Sequence, residues 1–177
     1  MFDVLIQMSP ATIVGTFAST IAITWPLFRT RKGMLIGQVG VHIGFGLHFF
    51  LLGANTGALM NLFALIQAVA AIPLGKHKAF RMIYILTLPF IAVGAIATWQ
   101  GLPSFFSSLG LAFISLGRYQ LNVQSFRIIL MIAIFFWFAH NVSVGSIPGM
   151  ISDTFGGALN MAMILKERRK QMAAATH

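Results

Sequence analysis

The chain has no cysteine and only three acidic residues, Asp3, Asp153 and Glu167. The first absence excludes disulfides, thiolate metal sites and cysteine nucleophiles. The second leaves too little charge to cover a water-soluble surface. Charged residues are 8% of the 177, where a soluble domain carries about 25%. Hydrophobic residues reach 58% and mean hydropathy is +0.86. The apolar runs are unbroken, unlike the alternating strands of a membrane barrel. Lipid is the solvent this composition calls for. The opening segment, MFDVLIQMSP, lacks a basic stretch and carries Asp3, so a cleaved signal peptide is not expected.

What is present is ordered. All twelve basic residues fall into four clusters, Arg29–Lys32, Lys76–Arg81, Arg118–Arg127 and Lys166–Lys170. Apolar stretches separate them, and the turns around Gly53, Gly101 and Gly145 hold none. A spanning helix needs roughly 20 apolar residues. Spans are expected near 10–28, 33–52, 56–75, 80–99, 103–118, 123–143 and 147–166. Basic loops stay in the cytoplasm, which predicts an all-α membrane protein of seven helices, N-terminus out and C-terminus in. The net charge of +9 is then a topology signal and a match to anionic headgroups. Nucleic acid is not an expected partner.

A repeat runs at an offset of 92 residues. His48, Gly53, Gly57, Asn61 and Phe63 correspond to His140, Gly145, Gly149, Asp153 and Phe155, with Phe45 opposite Trp137 and Ile72 opposite Ile164. An offset of four helices preserves direction. The repeat therefore predicts two parallel three-helix bundles, residues 1–78 and 102–170, with linker helix 79–101 and tail 171–177. Transporters with such repeats place the substrate at the repeat interface.

This three-plus-one-plus-three plan resembles the SWEET and PQ-loop transporter superfamily. Trp25-Pro26 fits the proline near the inner end of that family's first helix, though Leu27 replaces the glutamine and Arg118 stands where the second proline aligns. The spacing Gly53 to Asn61 also matches, and Gly145 to Asp153 matches it with a carboxylate. LHFFLLGANTGALMN (Leu47–Asn61) and AHNVSVGSIPGMISD (Ala139–Asp153) are similar to the YgjV-like family of bacterial inner-membrane proteins. The resemblance implies a multi-pass protein of the inner membrane.

Asp153 is the acid expected inside a span. An intramembrane carboxylate is costly and faces a cavity or a polar partner. It would titrate or bind a cation, or be satisfied by its helix N-terminus and by Ser152 and Thr154. His140 and Asp153 are expected at one level, as a proton-relaying pair or a structural bond. His48 and Asn61 form the corresponding neutral pair. Asn160, seven residues after Asp153, shares its face across Gly156 and Gly157. Trp137 is expected to stack on a solute, Trp25 and Trp99 to anchor at the interface, and Pro26 to hinge the first helix. His42, opposite Ile134 in the repeat, is not expected to act.

No catalytic or phosphate-loop motif is present. One acid with histidine is too little for an enzyme, and no cofactor or metal is expected. The expected function is alternating-access transport of a small solute through a site of Asn61, Asp153, Asn160, Trp137 and His48. Proton coupling would run through Asp153 and His140. With every basic residue placed at a turn, a neutral polar or cationic solute is expected. A receptor holding a ligand in the same cavity is the alternative. Seven helices supply both halves, so a monomer suffices.

Overall fold

The computed structural model describes residues 9–74 and 77–175. Asp3 and Lys76 lie outside them. The described residues form seven helices and no strand. They are α1 (Pro10–Thr24), α2 (Arg31–Leu51), α3 (Asn55–Leu74), α4 (Lys78–Ala97), α5 (Leu102–Tyr119), α6 (Val123–Val144) and α7 (Ile147–Ala175).

Local chemistry starts each helix where the sequence allows. The Ser9 side chain caps α1 ahead of Pro10, whose missing N–H costs nothing at a first turn. Thr30 caps α2 and Asn122 caps α6. The α2–α3 and α6–α7 turns share one construction. Gly53 and Gly145 take φ of +72° and +68°. The next residues, Ala54 and Ser146, donate back to Phe49 O and Asn141 O at 2.9 Å each. These are Schellman ends, which need a left-handed residue after the last turn.

Two boundaries depart from expectation. α1 stops at Thr24, and Trp25–Leu27 tightens into a 3-10 turn, because Pro26 has no N–H for the Ala22 carbonyl. Gly156 of α7 lies against that carbonyl, where a Cβ would sit 3.0 Å away. At its other end α7 runs on to Ala175, since the tail is built of Lys, Glu, Arg, Gln, Met and Ala, all strong helix formers.

Helix contacts close a ring: α1 on α2, α2 on α3, α3 on α5, α5 on α6, α6 on α7, and α7 back on α1. α4 stands outside it, against α5 and α3. Only 22% of its apolar window is buried, half the share found in α2 or α3. Large apolar side chains such as Phe17, Phe50, Phe90, Ile96 and Phe135 are exposed, and so broad an apolar surface marks contact with lipid.

Among the described residues five segments are long and apolar enough to cross a membrane, Pro10–Leu27, Arg31–Leu51, Asn55–Pro73, Ala79–Ala97 and Val123–Val144. The seven expected helices are all present, and α5 and α7 are the two more polar than that measure. α5 carries Ser104, Ser107, Ser108, Ser115 and Arg118, and α7 carries Asp153, Asn160 and a basic tail. Many of these groups, among them Ser104, Ser107, Ser115, Arg118 and Asn160, are buried against neighbouring helices.

The basic clusters also do structural work. Arg31 donates to Arg118 O at 2.7 Å, and Arg81 donates through Nε to Tyr119 O at 2.9 Å with its guanidinium over the Tyr119 ring. Both cations sit on the last carbonyls of α5, where the helix dipole is negative.

Candidate functional site

A cavity of about 80 Å³ lies inside the ring. Six helices line it: Ala22 and Trp25 lie on or just past α1, Gln38, His42, Phe45 and Phe49 on α2, and Asn61 on α3. Ile114 comes from α5, Leu130, Trp137 and Asn141 from α6, and Ser152, Asp153 and Gly156 from α7. α4 contributes nothing. The volume suits two or three waters at about 30 Å³ each. A larger ligand needs the helices to part.

One wall is aromatic. Phe49 stacks on Trp137 with centroids 5.9 Å apart at 13°, and on Phe45 at 5.7 Å. The same cavity holds a carboxylate. Asp153 is half-buried, and its Oδ2 accepts from Asn141 Nδ2 at 2.7 Å. Ser152 and Thr154 do not serve it, since each donates to a carbonyl of its own helix. Asn141 holds its position because residue 149 is glycine; a methyl group there would overlap the Asn141 carboxamide.

The third element is a cation-backed network. Arg118 is fully buried. Its Nη1 donates to Ala64 O at 2.8 Å and Gln67 Oε1 at 3.1 Å, and its Nη2 to Gln38 Oε1 at 2.9 Å and His42 Nε2 at 3.0 Å. A guanidinium only donates, so His42 Nε2 must accept. The His42 proton is therefore on Nδ1, which donates to Asn61 Oδ1 at 3.0 Å. Asn61 in turn donates to Gly57 O at 2.9 Å. The chain from Arg118 through His42 to Asn61 has one direction throughout, and two of its members face the cavity.

The expected site residues separate into two groups. Asn61, Asp153 and Trp137 line the cavity. His48, His140 and Asn160 do not. His48 donates through Nδ1 to Ala11 O at 2.7 Å and pairs through Nε2 with Ser146 Oγ at 2.7 Å. It is not Asn61's partner; His42, set aside by the sequence reading, is. His140 bonds Pro103 O at 2.8 Å and leaves Nε2 buried without a partner, so the expected His140–Asp153 pair does not form. Asn160 accepts from Arg127 Nη1 at 3.0 Å and donates to Arg127 O. That reciprocal pair takes it off the polar wall. Pro26 is buried in the 3-10 turn, and Trp25, at 7% exposure, is a cavity wall rather than an interface anchor. Trp99 is exposed at 57%, as an interface residue would be.

Sequence reasoning missed Arg118, Arg127, Gln38 and Asn141. Their cluster places the two arginines at turns, yet they are 0% and 2% exposed. The expectation that no basic residue is buried inside the bundle is therefore corrected: helix ends bring the side chains inward. Gln38 and Gln67 carried the available signal, as lone amides inside apolar runs, where polar groups seek partners. No cluster of metal-ligating side chains occurs among the described residues.

A family model described as a bacterial inner membrane protein, Imp-YgjV, matches residues 10–171, from the first residue of α1 into the α7 tail. The chain belongs to the Imp-YgjV family. It is a multi-pass protein of the bacterial inner membrane. No curated protein and no solved structure matches it. Both sequence segments that carry the resemblance, Leu47–Asn61 and Ala139–Asp153, form the paired turns of this Imp-YgjV protein and bring Asn61 and Asp153 to its cavity.

Proposed function

We propose that this protein carries a small neutral polar or cationic solute across the inner membrane by alternating access. In this reading α1–α3 and α5–α7 are two parallel bundles, α4 is the inverting linker of a SWEET-like, PQ-loop plan, and the basic ends face the cytoplasm. The observation that carries the proposal is the cavity itself. It draws residues from α1–α3 and from α5–α7, and it holds the Asp153 carboxylate. Intramembrane acids facing a cavity mark solute and ion pathways. Neither buried arginine lines the cavity, and Asp153 is the acid that does. Aromatic faces at Phe49 and Trp137 suit the apolar side of a ring or a cation.

Alternating access requires the cavity to open, since about 80 Å³ is well below the roughly 300–1,000 Å³ of ligand pockets. The 3-10 turn at Pro26 is the proposed hinge. Proton coupling rests on Asp153 alone in this geometry, because His140 is held elsewhere.

A receptor on the same scaffold is the second reading. Arg118, polarising Gln38 and His42 at the cavity wall, gives it a place for a ligand's anionic end. The test is reconstitution into vesicles, with solutes screened by thermal shift and then by flux, wild type against Asp153→Asn. Flux that the variant abolishes supports transport. Ligand stabilisation without flux supports the receptor, and flux indifferent to Asp153 overturns the site.

A further inference from the structure

A second cavity, of about 540 Å³, opens at the basic end of the bundle, apart from the central one. Three segments that are distant in sequence build it: the α1–α2 connection, the start of α6 and the end of α7. They contribute Arg29, Arg127, Lys166 and Lys170. A single carboxylate, Glu167, faces these four cations, and it pairs weakly with exposed Lys170 at 3.9 Å.

Arg127 is what makes the place a site and not a solvated charge run. It is 2% exposed, and its guanidinium is fixed by donation to Phe28 O at 2.7 Å and Asn160 Oδ1 at 3.0 Å. Those hydrogen-bond partners are neutral, and Glu167, the acid that acts on this charge from the same cavity, makes no ion pair with Arg127. The first turn of the 22-residue α6, capped by Asn122, lines the same cavity and adds the positive end of its dipole. Four cations and a helix start around one concavity complement a tetrahedral oxyanion better than a carboxylate, because three segments approach it from different sides.

We propose that this cavity binds a phosphate group, carried either by an anionic phospholipid headgroup at the membrane surface or by a soluble phosphate. Binding there joins the α1–α2 connection to α6 and α7. The site needs no transport activity and is independent of the central cavity.

The test uses the full chain in detergent. Phosphatidylglycerol and phosphatidylcholine are added separately and retention is read by native mass spectrometry; inorganic phosphate is then titrated as competitor. The variant is Arg29→Gln/Lys166→Gln/Lys170→Gln, which leaves buried Arg127 in place. Its control is Lys32→Gln/Arg168→Gln/Arg169→Gln, which removes equal charge from residues that do not line the cavity. The wild type and the control should retain phosphatidylglycerol over phosphatidylcholine, and the cavity variant should lose about tenfold or more in apparent affinity. Displacement by millimolar inorganic phosphate assigns the site to soluble phosphates, and resistance to it assigns the site to lipid. Equal losses in both triple variants, no preference between the two lipids together with no phosphate binding, or unchanged retention in the cavity variant would overturn the proposal.

Discussion

His48 and His140 make the same bond twice. His48 Nδ1 donates to Ala11 O at 2.7 Å and His140 Nδ1 to Pro103 O at 2.8 Å, and donors and acceptors alike are 92 residues apart. The symmetry fails at the other ring nitrogen. His48 Nε2 meets Ser146 Oγ. The residue equivalent to Ser146 is Ala54, which has no hydroxyl, and His140 Nε2 is left buried and unpaired.

Ala54→Ser should therefore stabilise the protein. The new hydroxyl would reach His140 Nε2 and cap α3 as Ser146 caps Gly149 N in α7. A gain of about 1 kcal/mol is expected from the pair of bonds, and Ser146→Ala should cost about 1–3 kcal/mol. Thermal unfolding in detergent reads both; an Ala54→Ser midpoint at or below wild type would show that the repeat does not extend to this contact.

Gly149→Ala should injure the cavity without replacing any polar residue. The added methyl displaces Asn141 and removes the bond to Asp153. Overpacking of this kind costs about 1–3 kcal/mol, and solute binding should weaken together with stability. Gly53→Ala, beside open space but at positive φ, should cost stability and leave binding intact. Thermal melts and solute titrations on the same preparations separate the two.

Arg118→Met should be among the most destabilising single changes. It strands Gln38 Oε1 and His42 Nε2 and strips a donor from Gln67, for about 2–4 kcal/mol. Arg118→Lys should recover only part of this, since one ammonium cannot serve acceptors spread over α2 and α3. A thermal midpoint within a degree of wild type for Arg118→Met would remove the network from the account of stability.

Pro26→Ala restores an N–H to the Ala22 carbonyl and lets α1 run on past Thr24. Solute binding should persist and flux should slow. Stopped-flow uptake into vesicles checks it, and unchanged flux would take the hinge away from Pro26.

The repeat residues show where sequence reading reached its limit. Gly53 and Gly145 announced paired turns, and the turns share one hydrogen-bond pattern. Asp153, Asn61 and Trp137 were legible as polar or aromatic groups in apolar runs, and they face the cavity. Their partners were not. Equal depth on neighbouring helices suggested His140 for Asp153 and His48 for Asn61, but depth says nothing of rotation about the helix axis. Rotation directs His140 toward α5 and brings Asn141, one residue on, to the carboxylate.

The sequence by itself determined the solvent, the helices and the paired glycine turns, because apolar run length, capping residues and left-handed glycines act over a few residues. Tertiary structure alone decided which polar groups meet. Arg118 lies at the foot of α5, and its guanidinium reaches acceptors on two helices that the chain passed about 50 and 80 residues earlier. A buried cation needs donors and acceptors matched in three dimensions, and only the closing of the ring supplies them.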